Sequence, residues 1–189
     1  MKTLLLLLLI PIIAVADYVD PYGLPSGSSS LILATQDNIG GGNDIEAFDF
    51  ATAEIRYEPY IEHVSGGLSD LIFFELESGS AELYLRAPEG SDGFDRSIIG
   101  HLGPLALDEI QHMDDVELSV TALAVDGDAY VLLQIQAEAQ PETTAVKFRL
   151  TNLNAGQIHF DWAWQPNGSR YFMPSPAEVM DFGTLKRSW

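Results

Sequence analysis

From Glu46 onward apolar and polar residues alternate at a spacing of two, the period of a strand with one buried face. Phe48 and Phe50 flank Asp49, and Ile55 and Tyr57 flank Arg56. Ile72, Phe74 and Leu76 share a face beside Glu75 and Glu77. Leu83 and Leu85 alternate with Glu82, Tyr84 and Arg86. The segments are short, and Ser65–Gly67, Ser78–Ser80 and Pro88–Gly90 break them. Short strands with regular turn-rich breaks predict a sandwich or barrel. Pro104–Ile110 instead reads as a short amphipathic helical piece with proline at a favoured first-turn position. After it, Val116–Ala122 and Tyr130–Gln136 are expected to pair through a hairpin at Asp126-Gly127.

The clearest unit comes last. Thr144–Thr151 puts Val146, Phe148 and Leu150 on one side and Lys147 and Arg149 on the other. Gln157–Trp164 sets Ile158, Phe160, Trp162 and Trp164 against Gln157, His159, Asp161 and Ala163. The turn Asn152–Gly156 between them predicts an antiparallel hairpin over the core.

The N-terminal end has a different pattern. A short positive start (Met1-Lys2-Thr3), an apolar run over Leu4–Ile13 and the small-x-small Ala14-Val15-Ala16 match a signal peptide at residues 1–16. The run is too short to span a bilayer, which takes ~20 residues. Residues 17–29, with Pro21, Gly23, Pro25, Gly27 and consecutive serines, read as a flexible lead-in, and residues 30–189 as one domain. The first strand is expected at Ser30–Thr35, ahead of a loop holding Gly40-Gly41-Gly42.

The run AVKFRLTNLNAGQIHFDWAWQPNGSRYF, the strand DAYVLLQIQ and the segments FDFATAEI and AELYLRAP resemble strand and aromatic patterns of uncharacterised extracytoplasmic β domains of prokaryotes. That resemblance implies a β fold outside the cytoplasm and transfers no site residue. The expected fold class is therefore all-β: an antiparallel β-sandwich of seven to ten strands with one short helix in a crossover.

Charge narrows the partners. The chain has 28 acidic residues against 9 lysines and arginines, a formal charge of −19. Such a surface repels phosphate backbones and anionic headgroups, which argues against nucleic acid as a partner. No second apolar run follows the leader, so no membrane span is expected after its cleavage. With no cysteine the chain has no disulfide, thiolate metal site or thiol nucleophile.

Candidate chemistry is sparse. Trp162 and Trp164 could form a sugar-stacking platform, but sharing a face with Ile158 and Phe160 assigns them to the core. Tyr84, Tyr130 and Tyr171 are the candidate exposed ligand-binding aromatics. Asp37, Asp44 and Glu46 around the triple glycine are the candidate ligands for calcium, a cation that needs six to eight oxygens, and no ordered calcium loop motif accompanies them. His159 and Asp161 project from one face of one strand and offer a metal two ligands at most. Glu75, Glu77 and Glu82 are the carboxylates a glycan- or peptide-acting hydrolase would pair. The expected function is a non-catalytic secreted or periplasmic module that binds an extracellular or envelope ligand or serves a structural role. The alternatives are that hydrolase and a calcium-stabilised structural domain.

Overall fold

The computed structural model describes residues 17–35, 44–59, 71–75, 81–85, 96–119, 121–135, 143–154, 156–167 and 169–173. They form ten strands: β1 (Ser26–Ile32), β2 (Asp44–Asp49), β3 (Glu54–Pro59), β4 (Leu71–Glu75), β5 (Ala81–Leu85), β6 (Arg96–Gly103), β7 (Thr121–Leu123), β8 (Ala129–Ile135), β9 (Thr143–Asn154) and β10 (Gln157–Gln165). One sheet runs β1-β10-β9-β8-β6 and the other β3-β2-β4-β5-β7. Every pairing between strands is antiparallel. The helical piece expected at Pro104–Ile110 is a single 3-10 turn, Leu107–Glu109, whose Glu109 Oε2 accepts the Ala106 N–H at 2.9 Å. Among the described residues no helix is long and apolar enough to cross a membrane.

The β9–β10 hairpin forms as the alternation predicts, with Phe148 opposite Trp162 and Val146 opposite Trp164. Phe148, Phe160 and Trp162 from this hairpin meet Phe48 of β2 and Phe50 just beyond it, and Leu71 and Phe73 join from β4. Phe48 packs edge-on against Phe160 at 5.3 Å between centroids, and Phe50 against Trp162 at 5.8 Å. Aromatic rings favour this geometry because the positive edge of one meets the negative face of the other. One apolar cluster therefore joins the two sheets, and Trp162 belongs to it with 4% exposure.

Three expectations change. The serine-rich stretch after Gly23 contains most of a strand: β1 begins at Ser26 and pairs with β10 from Ser26↔Ala163 to Ile32↔Gln157. Asp126-Gly127 does not close a hairpin, because β7 pairs with β5 in the second sheet while β8 belongs to the first. Its turn is instead pinned to β9, with the Gly127 N–H donating to the Leu150 carbonyl.

The third change concerns the outer face of the first sheet. Alternation assigns Lys147 to a wet side, yet the residue is fully buried. That face carries a second apolar cluster in which Ala129, Val131, Leu133 and Ala145 of the sheet lie under Leu107, Ile110, Met113 and Phe172, with Tyr18 and Leu24 packed beside them. The centre of this sheet is thus covered on both faces, which is why Ala129–Leu133 is an unbroken buried run.

Candidate functional site

Among the described residues the outer cover does not extend over the β1–β10 side of the sheet. A cleft of about 590 Å³ opens there. Its floor follows from strand periodicity: Ile158, Phe160 and Trp162 point to the core, so His159 and Asp161 point out. Antiparallel register sets Ser30 opposite His159 and Ser28 opposite Asp161, which lines the two strands with paired polar side chains. On the other side of β10 a bulge falls where His159 pairs with Asn152 and Phe160 with Leu150. Thr151 is the extra residue, and both Thr151 and Asn152 reach the cleft.

Hydrogen bonds fix this floor. The Ser28 hydroxyl accepts the Tyr18 N–H at 3.0 Å and donates to Asp161 Oδ1 at 2.6 Å. Gln157 Nε2 donates to the Ser30 hydroxyl at 3.2 Å. The Tyr18 contact draws residue 17 in as a wall, and Asp17 lines the cleft. A second, smaller groove of about 360 Å³ lies on the other side of this N-terminal segment, between Tyr18 and Pro21 and the 3-10 turn at Leu107-Asp108. Asp161 borders both grooves. Arg149 also lines the second, with its Nε held by the Gly127 carbonyl at 3.0 Å. Burial pushes the Tyr18 hydroxyl well above the ordinary phenol range, and the carboxylates of Asp20, Asp108 and Asp161 push it the same way. Tyr18 is therefore a neutral donor and acceptor at physiological pH.

No family model, curated protein or solved structure matches the chain.

The sequence-predicted candidates fall in other places. Tyr130 is wholly buried, a correction to its expected exposure: its hydroxyl donates to the Leu123 carbonyl at 2.9 Å and accepts the Val125 N–H at 3.0 Å. Tyr171 is half exposed, beside His112, and lines neither groove. Its hydroxyl is raised above the usual phenol range by a hydrogen bond to Asp114. Tyr84 sits in β5 opposite Ile72 and Thr121, and its side chain lies outside the described ones. So do the side chains of Glu75 and Glu82, and Asp37 and Glu77 lie outside the described residues altogether.

Asp44 and Glu46 are both in β2, at a pocket of about 190 Å³ next to Tyr57. Glu46 is already engaged there: Oε2 accepts the Ile32 N–H at 2.8 Å and Oε1 the Tyr57 hydroxyl at 3.1 Å. Among the described residues no group of three or more histidines and carboxylates could hold a metal ion. Of the sequence candidates among the described residues, only His159 and Asp161 lie together in the cleft. Ser28, Ser30, Thr151 and Asn152 carry no sequence signal beyond polarity: Ser28 lies in the stretch that reads as lead-in, Asn152 in the turn, and Ser30 and Thr151 at the ends of expected strands.

Proposed function

We propose that the protein is a non-catalytic module, exported and retained in the periplasm or secreted, that binds a polar, hydroxyl-bearing ligand in the β1–β10 cleft. In this reading the two sheets are the layers of a sandwich and the 3-10 turn lies in the passage between them. The observation that carries the proposal is the cleft floor, where serine hydroxyls, an amide and an imidazole converge on a surface that the apolar cover, among the described residues, leaves open. Hydroxyls and amides can both donate and accept, which suits a sugar's hydroxyls better than a group of fixed charge. The acidic balance of the chain, with Asp17 and Asp161 at the cleft itself, favours a neutral ligand over a uronate or a phosphate. Phe160 is buried beneath the floor, so affinity would come from hydrogen bonds and not from ring stacking.

The test is a titration of the purified protein with panels of neutral and acidic oligosaccharides by calorimetry. Neutral sugars should bind, and His159→Ala combined with Asn152→Ala should weaken binding at least roughly tenfold, the equivalent of ~1.4 kcal/mol, without moving the melting temperature. Binding that survives both substitutions would place the ligand elsewhere. No binding by any neutral sugar would sink the reading.

A further inference from the structure

Beneath the N-terminal segment, Lys147 Nζ meets Asp20 Oδ1 at 2.9 Å, and both side chains have zero exposure. We propose that this pair condenses to an intramolecular amide, a covalent bond that ties the N-terminal segment to β9.

The surroundings are arranged around the Asp20 carboxyl in two halves. Oδ2 accepts the backbone N–H of Tyr22 at 2.9 Å and of Leu24 at 3.4 Å. Two backbone donors on one carbonyl oxygen stabilise the oxyanion of a tetrahedral intermediate. Oδ1 faces Nζ and also accepts the Tyr18 hydroxyl at 3.4 Å. One oxygen is thus placed as oxyanion and the other as leaving group. The Tyr22 and Phe172 rings, each centred 5.5 Å from Nζ, close the remaining sides with apolar surface.

The step balances without an outside reagent. One proton passes from the Lys147 ammonium to Oδ1, giving amine and acid. The Nζ lone pair attacks Cγ, and the negative charge forms on Oδ2 under the two N–H groups. Nζ loses a second proton, relayed by the Tyr18 hydroxyl to Oδ1. The Cγ–Oδ1 bond breaks, water departs, and the Cγ–Nζ amide remains. Contact between the reacting groups replaces an encounter from solution, and a dry site favours the neutral amine and acid over the unreactive ion pair.

Hydrogen-bond supply favours the product. An ammonium has three protons to place, and among the described residues the acceptors around Nζ are Asp20 Oδ1 and, at 3.5 Å, the Ile110 carbonyl. The amide has one N–H, which the Ile110 carbonyl can accept. Oδ2 becomes the amide oxygen and keeps its two donors.

Intact-mass spectrometry of the purified, folded chain decides it. The mass should fall about 18 Da below the sequence value, one water. A digest should yield a joined peptide pair linking Asp20 to Lys147, with no tryptic cleavage after Lys147. Lys147→Arg and Asp20→Ala should each restore the full mass. When unbonded chain from denatured inclusion bodies is refolded, Tyr18→Phe should slow bond formation at least tenfold, and an unchanged rate would overturn the relay. A succinimide at Asp92-Gly93 or Asp126-Gly127 loses the same mass, but it yields to hydroxylamine and persists in Lys147→Arg. A full mass in wild-type protein that unfolds cooperatively, or a loss that maps to an Asp-Gly site, overturns the proposal.

Discussion

Removing one oxygen atom, in Tyr130→Phe, tests the interior polar bond that ties the two sheets together. The Tyr130 ring sits in a stack, 4.9 Å from His101 and 5.1 Å from Phe148 with both pairs at 16°, and phenylalanine keeps that stack. What is lost is the hydroxyl bridge from β8 to Leu123 at the end of β7 and to Val125 just beyond it. Two backbone groups lose a partner, but Leu123 and Val125 are themselves exposed at 54% and 39%, so water can reach them. The cost at neutral pH should therefore be ~1 to 2 kcal/mol, the range for lost hydrogen bonds whose groups rehydrate.

The same atom has a pH signature. Burial is the largest cause that pushes the Tyr130 hydroxyl from 10.0 to about 12; the Val125 N–H opposes it and the Asp128 carboxylate adds to it. The folded protein holds this proton more tightly than the unfolded chain does. Its contribution is whole below pH 10 and drains as pH rises from 10 towards 12. Over those two units the loss is roughly 2 to 3 kcal/mol. Urea midpoints of wild type and Tyr130→Phe across pH 7 to 12 should show the variant weaker at pH 7 and the gap closed or reversed near pH 12. Other tyrosines titrate in both proteins and cancel in the difference. Curves that stay parallel from pH 9 to 12 would refute the argument.

Other perturbations test the rest of the fold. Phe148→Ala and Trp162→Ala, both in the shared apolar cluster, should each cost ~3 to 5 kcal/mol in denaturant unfolding, while Asn152→Ala at the cleft rim should cost less than ~0.5 kcal/mol. Gly100→Ala should destabilise by ~1 to 3 kcal/mol, because its Cβ would stand 2.3 Å from Val116 Cγ1, a β-branched side chain that cannot swing away freely. Monovalent salt should raise the melting temperature by screening a net charge of −19, and calcium at matched ionic strength should add nothing further, since both Glu46 oxygens already have partners.

Much of the β architecture was legible because a period of two assigns each side chain to a face. Phe148, Phe160 and Trp162 went to the core on that rule alone, and His159 and Asp161 went to the opposite side together. The rule says nothing about what covers a face. Alternation points Lys147 outward and it does project there, but Leu107 and Ile110 of the short amphipathic piece and Phe172 of the irregular stretch after β10, whose docking partners no periodicity reveals, bury that side. Tyr130 failed for a related reason: Ala129–Leu133 has no alternation to read, and an unbroken apolar run is itself the mark of a strand covered on both faces. Residues 26 to 29 (Ser-Gly-Ser-Ser) carry a linker composition, and only their register against β10 makes them a strand. Register across more than a hundred intervening residues is tertiary information, so Ser28 and Ser30 could not be brought to Asp161 and His159 from spacing.

The cleft and the buried pair turn out to share one element. Asp20 is held by Lys147, by the N–H groups of Tyr22 and Leu24, and through its own N–H by the Ser26 hydroxyl at 2.9 Å. Two residues earlier the Tyr18 N–H is bound to Ser28, which is bound to Asp161 at the cleft floor. The N-terminal segment is thus fixed to the sheet at Asp20 and forms the cleft wall at Asp17 and Tyr18. Removing one partner of a buried pair leaves the other charge uncompensated, so loss of Lys147 should loosen this segment before it unfolds the sheets, whose shared core lies on the opposite face. A ligand that rests against Asp17 would then feel the state of a bond it never touches.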